Sequence, residues 1–497
     1  MLSKRSDKYF PVLILFVYFS IALYKLDSIP GEWYGDISNV HEYVTQILSG
    51  KWPLYFFQNT GPVYHYLISP IIYILGNRYF QYKIASVSVG GLVVVATYLM
   101  AKALSGKKIA YITTFIALIS FWTIVWARTG NSQILIPVLS ASTVYFAEKY
   151  NSKKRFRELL FGVLVSSAGL FTYPQTFILP ILLILWLLYR KNFKAALISM
   201  SLIVPVILLF SSIVARGKDN FTSGYVGTKI PKIENFYVAS TYKNMATNLV
   251  KTLGMFHFRG DVSFRVNVSN TPQLDILSGL LLLFGIYYWF KKNRAILVSI
   301  IFSILFLSLP SISPALPPIE IPNSGRTIAI TPFVYMLVAS GIYFIYKKIN
   351  GDEVKFVSLL LILLVIMVFN LNKYFYLYPK NLSNENVSYG KIIASYIDEN
   401  KSDILIKLTS CCWGEWGQPE PKAIYYQLRN RKGRENIVYD YPFLKDCKEL
   451  EDKNNVILIF NPSDELLIEK FKGCYPGAIK YDHREKGYDV FSAVYIP

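Results

Sequence analysis

Charge is scarce in this chain. Only 17% of its 497 residues are Asp, Glu, Lys or Arg, against roughly 25% in soluble globular domains. With 53% hydrophobic and 16% aromatic residues, that shortage excludes an ordinary water-soluble fold and points to a polytopic membrane protein. Acid is scarcer than base, 32 residues to 52, which leaves a net charge of +20. Such a surplus would ordinarily raise nucleic acid as a partner. Here the basic residues sit in short clusters between apolar runs, the pattern of topology signals. No nucleic-acid partner is expected.

Cysteine is rarer still. The four present, Cys411, Cys412, Cys447 and Cys474, lie in the last quarter without CxxC or His-rich spacing, which disfavours zinc. Adjacent cysteines do not easily bond each other, so a link from Cys411 or Cys412 to Cys447 or Cys474 is expected, with four free thiols as the alternative. A cleavage site is missing too. Lys4, Arg5 and Lys8 precede an apolar run, yet no small-x-small pattern follows Tyr24, so the run reads as an uncleaved first span.

What the chain does have is long apolar runs. A span needs about 20 mostly apolar residues. Candidates lie near 9–26, 84–104, 109–127, 134–150, 159–173, 175–189, 194–214, 276–290, 295–310, 326–346 and 356–371, about eleven transmembrane helices. With the N-terminus cytoplasmic, the inside loops become 105–108, 151–158, 189–194, 291–294 and 347–355. Each is rich in Lys or Arg, as the positive-inside rule requires. The outside segments are then 27–83, 128–133, 215–275, 311–325 and the tail. The run PVYHYLISPIIYILGN (62–77) is apolar but too short to cross, and suits a helix lying on the outer face.

From about residue 375 the character changes. DILIKLTS and NNVILIF look strand-like, ENVSYGKIIASYIDEN and PKAIYYQLRN helical, and NPSDELLIEKFKG reads as a turn, a cap and a helix. Alternating elements without a spanning run predict a small extracytoplasmic α/β domain over 375–497 behind a transmembrane domain of 1–374.

Ionisable residues are almost missing from the apolar runs, whereas carriers usually place charge at mid-membrane. The polar groups gather in three outside segments. The first, residues 31–62, holds Asp36, His41 and Glu42. The second, HFRGDVSFRVNVSNTPQLD (257–275), packs Arg259, Asp261, Arg265, Asn267 and Asp275 together. The third, PPIEIPNSGRTIAITPF (317–333), sets Arg326 beside Glu320 and Asn323. Arginine suits a phosphate because its planar fork donates parallel hydrogen bonds and stays charged. A carboxylate can accept the proton of an attacking hydroxyl. Together they imply transfer from a phosphate-bearing lipid to a hydroxyl.

The order WYGDIS, HEY, ILSGKWPLY and GPVYHYL in the first loop, WARTGNSQ in the third outside turn, then GDVSFRVN, TPQLD and GRTIAITPF, resembles the GT-C class of integral-membrane glycosyltransferases. The likeness is to the protein O-mannosyltransferase-like and lipid A aminoarabinose transferase-like group, over most of residues 1–346. The resemblance implies the GT-C fold and inverting transfer from a polyprenyl-phosphate sugar at the outer membrane face. It makes Asp36 the catalytic base. Where relatives carry Asp-Glu, this chain has Asp36 and Ile37, which leaves Glu42 as the candidate second carboxylate. Arg265 and Arg326, backed by Arg259, are the expected phosphate ligands. Asp261, Asn267, Asn131 and Gln133 are candidate substrate-binding residues. Many relatives carry an acid in the third turn. Here Asn131 and Gln133 stand there, and a divalent metal ion (Mg or Mn) is left open as a cofactor. The expected partners are the polyprenyl-phosphate donor, a lipid, glycan or protein acceptor, and the bilayer of the plasma membrane. The rival class is a transporter or flippase of lipid-linked saccharides.

Overall fold

A computed structural model describes residues 6–34, 37–56, 60–217, 233–400, 404–409, 421–429, 437–439, 446–450 and 455–497. The chain divides into two units: Met1–Leu26, Tyr43–Gly76 and Gln81–Tyr378 form the first, and Asp27–Glu42, Asn77–Phe80 and Pro379–Pro497 the second.

Each of the eleven apolar runs coincides with a helix or, at 109–127, with two. In order, the described helices of eight or more residues up to Asn372 are α1 (Ser6–Leu23), α2 (Ile37–Leu48), α3 (Val63–Leu75), α4 (Tyr79–Ser105), α5 (Lys107–Ile119), α6 (Phe121–Arg128), α7 (Leu135–Lys153), α8 (Phe156–Ala168), α9 (Leu179–Tyr189) and α10 (Phe193–Arg216), then α11 (Ala239–Gly254), α12 (Ile276–Lys292), α13 (Arg294–Leu307), α14 (Thr331–Lys348) and α15 (Asp352–Asn372). The run at 62–77 is α3, and α2 and α11 lie outside the runs. Among the described residues, four helices are long and apolar enough to cross a membrane, or five if the pair α5 and α6, bent by 51°, counts as one span.

The first unit is held by close helix contact and by buried polar side chains. Gly285 of α12 and Gly341 of α14 face each other so closely that a Cβ on either would stand 1.8–1.9 Å from a backbone oxygen of the opposite helix. In an apolar solvent such approach supplies the packing that water would otherwise drive. Trp289 donates its indole N–H to Ser340 Oγ at 2.8 Å beside that crossing. Arg128, at the end of α6, is fully buried and donates to the carbonyls of Ala22 (3.0 Å) and Tyr24 (2.7 Å). It thereby satisfies orphan carbonyls at the α1 C-terminus and lies over the Tyr374 and Phe375 rings. Asp275 and Asn293 cap α12 and α13 by accepting from Ser278 N (2.9 Å) and Ile296 N (3.2 Å), as short polar residues at an N-cap do.

The second unit is built as water-soluble domains are. Its sheet runs in the order β2-β1-β3-β5-β4, with β1 (Leu405–Leu408) parallel to β2 (Ile437–Tyr439) and to β3 (Val456–Phe460). β5 (Tyr488–Ile496) is antiparallel to both β3 and β4 (Ile479–Glu485). Ile393 and Ile397 of α16 (Tyr389–Glu399), with Ile424 of α17 (Pro421–Gln427), pack against Ile457 and Ile459. Ile468 and Phe471 of α18 (Glu465–Cys474) pack against Val456, Leu458 and Phe460. β3 is therefore covered on both faces, which is why its sequence VILIF is apolar throughout instead of alternating.

Cys447 and Cys474 form a disulfide. This corrects the expected link from Cys411 or Cys412, both of which lie outside the described residues. The connection through β3 and α18 returns the chain to Cys447, so these two distant cysteines meet.

Residues 27–42, expected to belong with the transmembrane domain, are grouped with 379–497 instead. The cause is a set of polar contacts. Glu32, only 1% exposed, accepts from Gly390 N (2.7 Å) at the first turn of α16 and from Trp33 N (2.8 Å). Asn386 accepts from Gly31 N (2.6 Å) and donates to Ser28 O (2.7 Å). A Cβ at Gly31 would stand 2.3 Å from Ser388 Oγ and 3.1 Å from Asn386 O, so a side chain there would push the serine hydroxyl aside.

Candidate functional site

In the first unit, three polar segments between the apolar helices meet at Ser324, Gly325 and Arg326. The segment after α11 contributes Asp261. One of its oxygens accepts from Ser324 N (2.7 Å) and Ser324 Oγ (2.8 Å), the other from Ser263 N (2.8 Å). The turn after α6 contributes Gln133, whose Oε1 stands 2.9 Å from where a Cβ on Gly325 would lie. That oxygen is buried and has no hydrogen-bond partner among the described residues. From α6, Trp122 donates to Ser324 O at 3.2 Å, and the Trp126 ring fills the space beside Gly325. Asp261 is 2% exposed. Burial pushes its carboxyl above the usual carboxylate range, and the bonds from Ser263 and Ser324, with the charge of Arg326, oppose that rise.

Arg326 is buried, its side chain 6% exposed. It pairs with the Glu320 carboxylate through Nη2 and donates from Nη1 to Glu320 O at 3.4 Å. Its own backbone N–H is accepted by Asn323 Oδ1 at 2.9 Å. Beside this pair opens a cavity of about 570 Å³. One wall is Pro318, Ile319, Ile321 and Pro322; the other includes Leu253, Phe258 and Val262, with Lys251 and Arg259 as its cations. Arg259 is exposed and donates from Nε to Asn270 Oδ1 at 2.8 Å. An apolar trough with two cations suits a ligand with a hydrocarbon chain and an anionic head.

The structure gives the remaining candidates distinct surroundings. Asn267 is buried and donates to the carbonyls of Asp261 and Thr271, both at 2.9 Å. Its polar atoms are thus used inside the loop, whereas Asp261 also reaches out to Ser324. Arg265 is half-buried, with its guanidinium near the Phe264 ring and its carbonyl accepting from Tyr378 OH. Asn131 caps a short turn by accepting from Gln133 N at 3.3 Å. Sequence reasoning missed Ser324, Trp122 and Lys251. A serine and a lysine on a polar face carry no signal of their own, and Trp122 lies inside an apolar run.

Asp36 lies outside the described residues. The nearest described residues before and after it, Tyr34 and Ile37, are buried. Glu42, on α2, pairs with Lys422 of α17 at 2.9 Å. His41 lies tilted against Tyr426 with ring centroids 3.9 Å apart, and Trp33 stacks on Tyr79 at 5.1 Å. Among the described residues no three His, Cys, Asp or Glu side chains gather as a ligand set for a metal ion.

Residues 59–215 match the family described as Dolichyl-phosphate-mannose-protein mannosyltransferase. No curated protein matches the chain. Among solved structures, ArnT from Cupriavidus metallidurans, bound to undecaprenyl phosphate, is 13% identical with a TM-score of 0.57, and the match covers 97% of each chain. The oligosaccharyltransferase AglB from Archaeoglobus fulgidus, in complex with an inhibitory peptide and a dolichol-phosphate, is 11% identical with a TM-score of 0.53. That match covers 98% of this chain and 74% of the other. A second structure of the Archaeoglobus fulgidus enzyme, tethered to an acceptor peptide containing the NVT sequon, gives 12% identity, a TM-score of 0.51, and coverage of 92% and 70%. Likenesses at this identity show the fold, which is that of the GT-C membrane glycosyltransferases. The resemblance to the protein mannosyltransferase and ArnT type holds.

Proposed function

We propose that this chain is a polytopic membrane glycosyltransferase that moves a sugar, with inversion, from a polyprenyl-phosphate donor to a hydroxyl of a lipid, glycan or protein. In this reading about eleven helices span the plasma membrane and the N-terminus is cytoplasmic. The reacting groups and residues 375–497 lie outside. The Cys447–Cys474 bond supports that orientation, since disulfides persist in oxidising compartments.

The observation that carries the reading is the cavity beside Arg326, apolar on its walls and cationic at Lys251 and Arg259. That pairing fits a phosphate on a hydrocarbon chain, the ligand class present in the structures of ArnT and AglB. Asp36, assigned from the sequence resemblance, takes the proton of the acceptor hydroxyl as its oxygen attacks the anomeric carbon. The bond from that carbon to the phosphate oxygen breaks on the opposite face. The phosphate departs as a stable anion, so it needs cations and no proton donor. Arg326 and Arg265, with Arg259, supply them, because arginine stays charged and donates in pairs. Glu42 is the second carboxylate of this reading, and Gln133 offers a buried acceptor to the donor's polar head.

The test is Asp36→Asn, assayed with a radiolabelled polyprenyl-phosphate sugar in detergent. Transfer should fall by roughly 10²–10⁴-fold, the worth of a general base, with the thermal midpoint unchanged. Wild-type rates in the variant would remove Asp36 from the chemistry.

A further inference from the structure

The arginine assigned to the donor phosphate is already in an ion pair. Arg326 binds Glu320 through the side chain and through the Glu320 carbonyl. A second carboxylate, that of Asp261, also acts on its charge. The two acids are held very differently. Asp261 accepts three hydrogen bonds from Ser263 and Ser324 and is shut from water. The Glu320 side chain is 34% exposed and ends a single short turn, Pro318–Glu320. Its neighbour Ile319 is 73% exposed, and that same strap forms one wall of the cavity.

A buried guanidinium without a counter-ion is costly. A carboxylate that is partly in water regains hydration when it is released. The donor's phosphodiester presents two anionic oxygens to the planar fork, as a carboxylate does, and so can take its place. We propose that Glu320 is the place-holding anion of a lipid-phosphate site. It neutralises Arg326 until the donor arrives and is displaced by the donor's phosphate, whose hydrocarbon chain lies in the adjoining cavity. Asp261 stays in place throughout. The inference rests on the lipid-phosphate reading above and adds to it the exchange of one anion for another.

Binding of undecaprenyl phosphate and of undecaprenol to the purified full-length protein, by thermophoresis in detergent, tests the exchange. Glu320→Gln should tighten undecaprenyl phosphate by about fivefold, the upper worth of a partly exposed pair, and leave undecaprenol unchanged. Arg326→Ala should weaken the phosphate alone, and Glu320→Gln should add nothing in that background. Unaltered or weaker phosphate binding by a folded Glu320→Gln protein overturns the inference while the function stands. A wild-type protein with no preference for undecaprenyl phosphate over undecaprenol overturns the lipid-phosphate reading, and the exchange with it.

Discussion

Asp261 and Glu32 are both carboxylates shut away from water, and both fasten a loop to a distant part of the chain. Their means differ. Asp261 grips a serine through its N–H and hydroxyl and feels the charge of a buried arginine. Glu32 grips the backbone at the start of α16, where the partial positive charge of a helix N-terminus favours a carboxylate. Removing a carboxylate beside a buried charge forfeits that attraction as well as its hydrogen bonds. Removing one at a helix end leaves buried N–H groups unpaired. The first unit thus stakes more on one side chain than the second does.

Removing Asp261 should have the largest effect. Asp261→Leu unpairs the Ser263 and Ser324 N–H groups and the Ser324 hydroxyl, at about 1–3 kcal/mol for each, and leaves Arg326 with Glu320 as its carboxylate partner. Thermal unfolding of the purified protein reads the loss, and amide exchange at Ser324 should accelerate. If Asp261→Leu unfolds like wild type, the knot around Ser324 is decorative. The next effect sharpens the contrast from the other side. Changing Cys447 and Cys474, 27 positions apart, to Ser should destabilise the second unit by about 3–4 kcal/mol in the chain-entropy picture. Gly390 exchange should rise and Ser324 exchange should not. Equal acceleration at both amides would abolish the distinction. The smallest change is Glu32→Gln, expected to cost about 1–3 kcal/mol and to speed exchange at Gly390. A cost as large as that of Asp261→Leu would show that a helix end holds a carboxylate as firmly as an arginine.

Helices were legible because apolar runs of sufficient length have few alternatives in a membrane. Even the departures have local causes. The run at 326–346 becomes α-helical only at Thr331, after a 3-10 turn over Ile328–Ile330, since Ser324 is held by Asp261. Asp275 and the strand character of VILIF were likewise open to local reading. The partners of Ser324 and of Glu32 were not. Glu32 and Gly390 are 358 residues apart, and no periodicity announces a contact at that range. Cys447 and Cys474 could not be paired by counting, because spacing does not encode which β-strand carries a thiol back to another. Within the candidate site, Arg326 stood out as an arginine at the mouth of an apolar run. Its occupation by Glu320 depends on a turn at Pro318 that the sequence only hints at.

The 358-residue separation between Glu32 and Gly390 also has a consequence in time. At 5–20 residues per second, the ribosome needs roughly 20–70 s to deliver Gly390 after Glu32. Throughout that interval the segment around Gly31 and Glu32 exists without Gly390, Asn386 or Ser388 to close on. It is therefore made well before it can be set. Its maturation waits on residues made some 358 positions later.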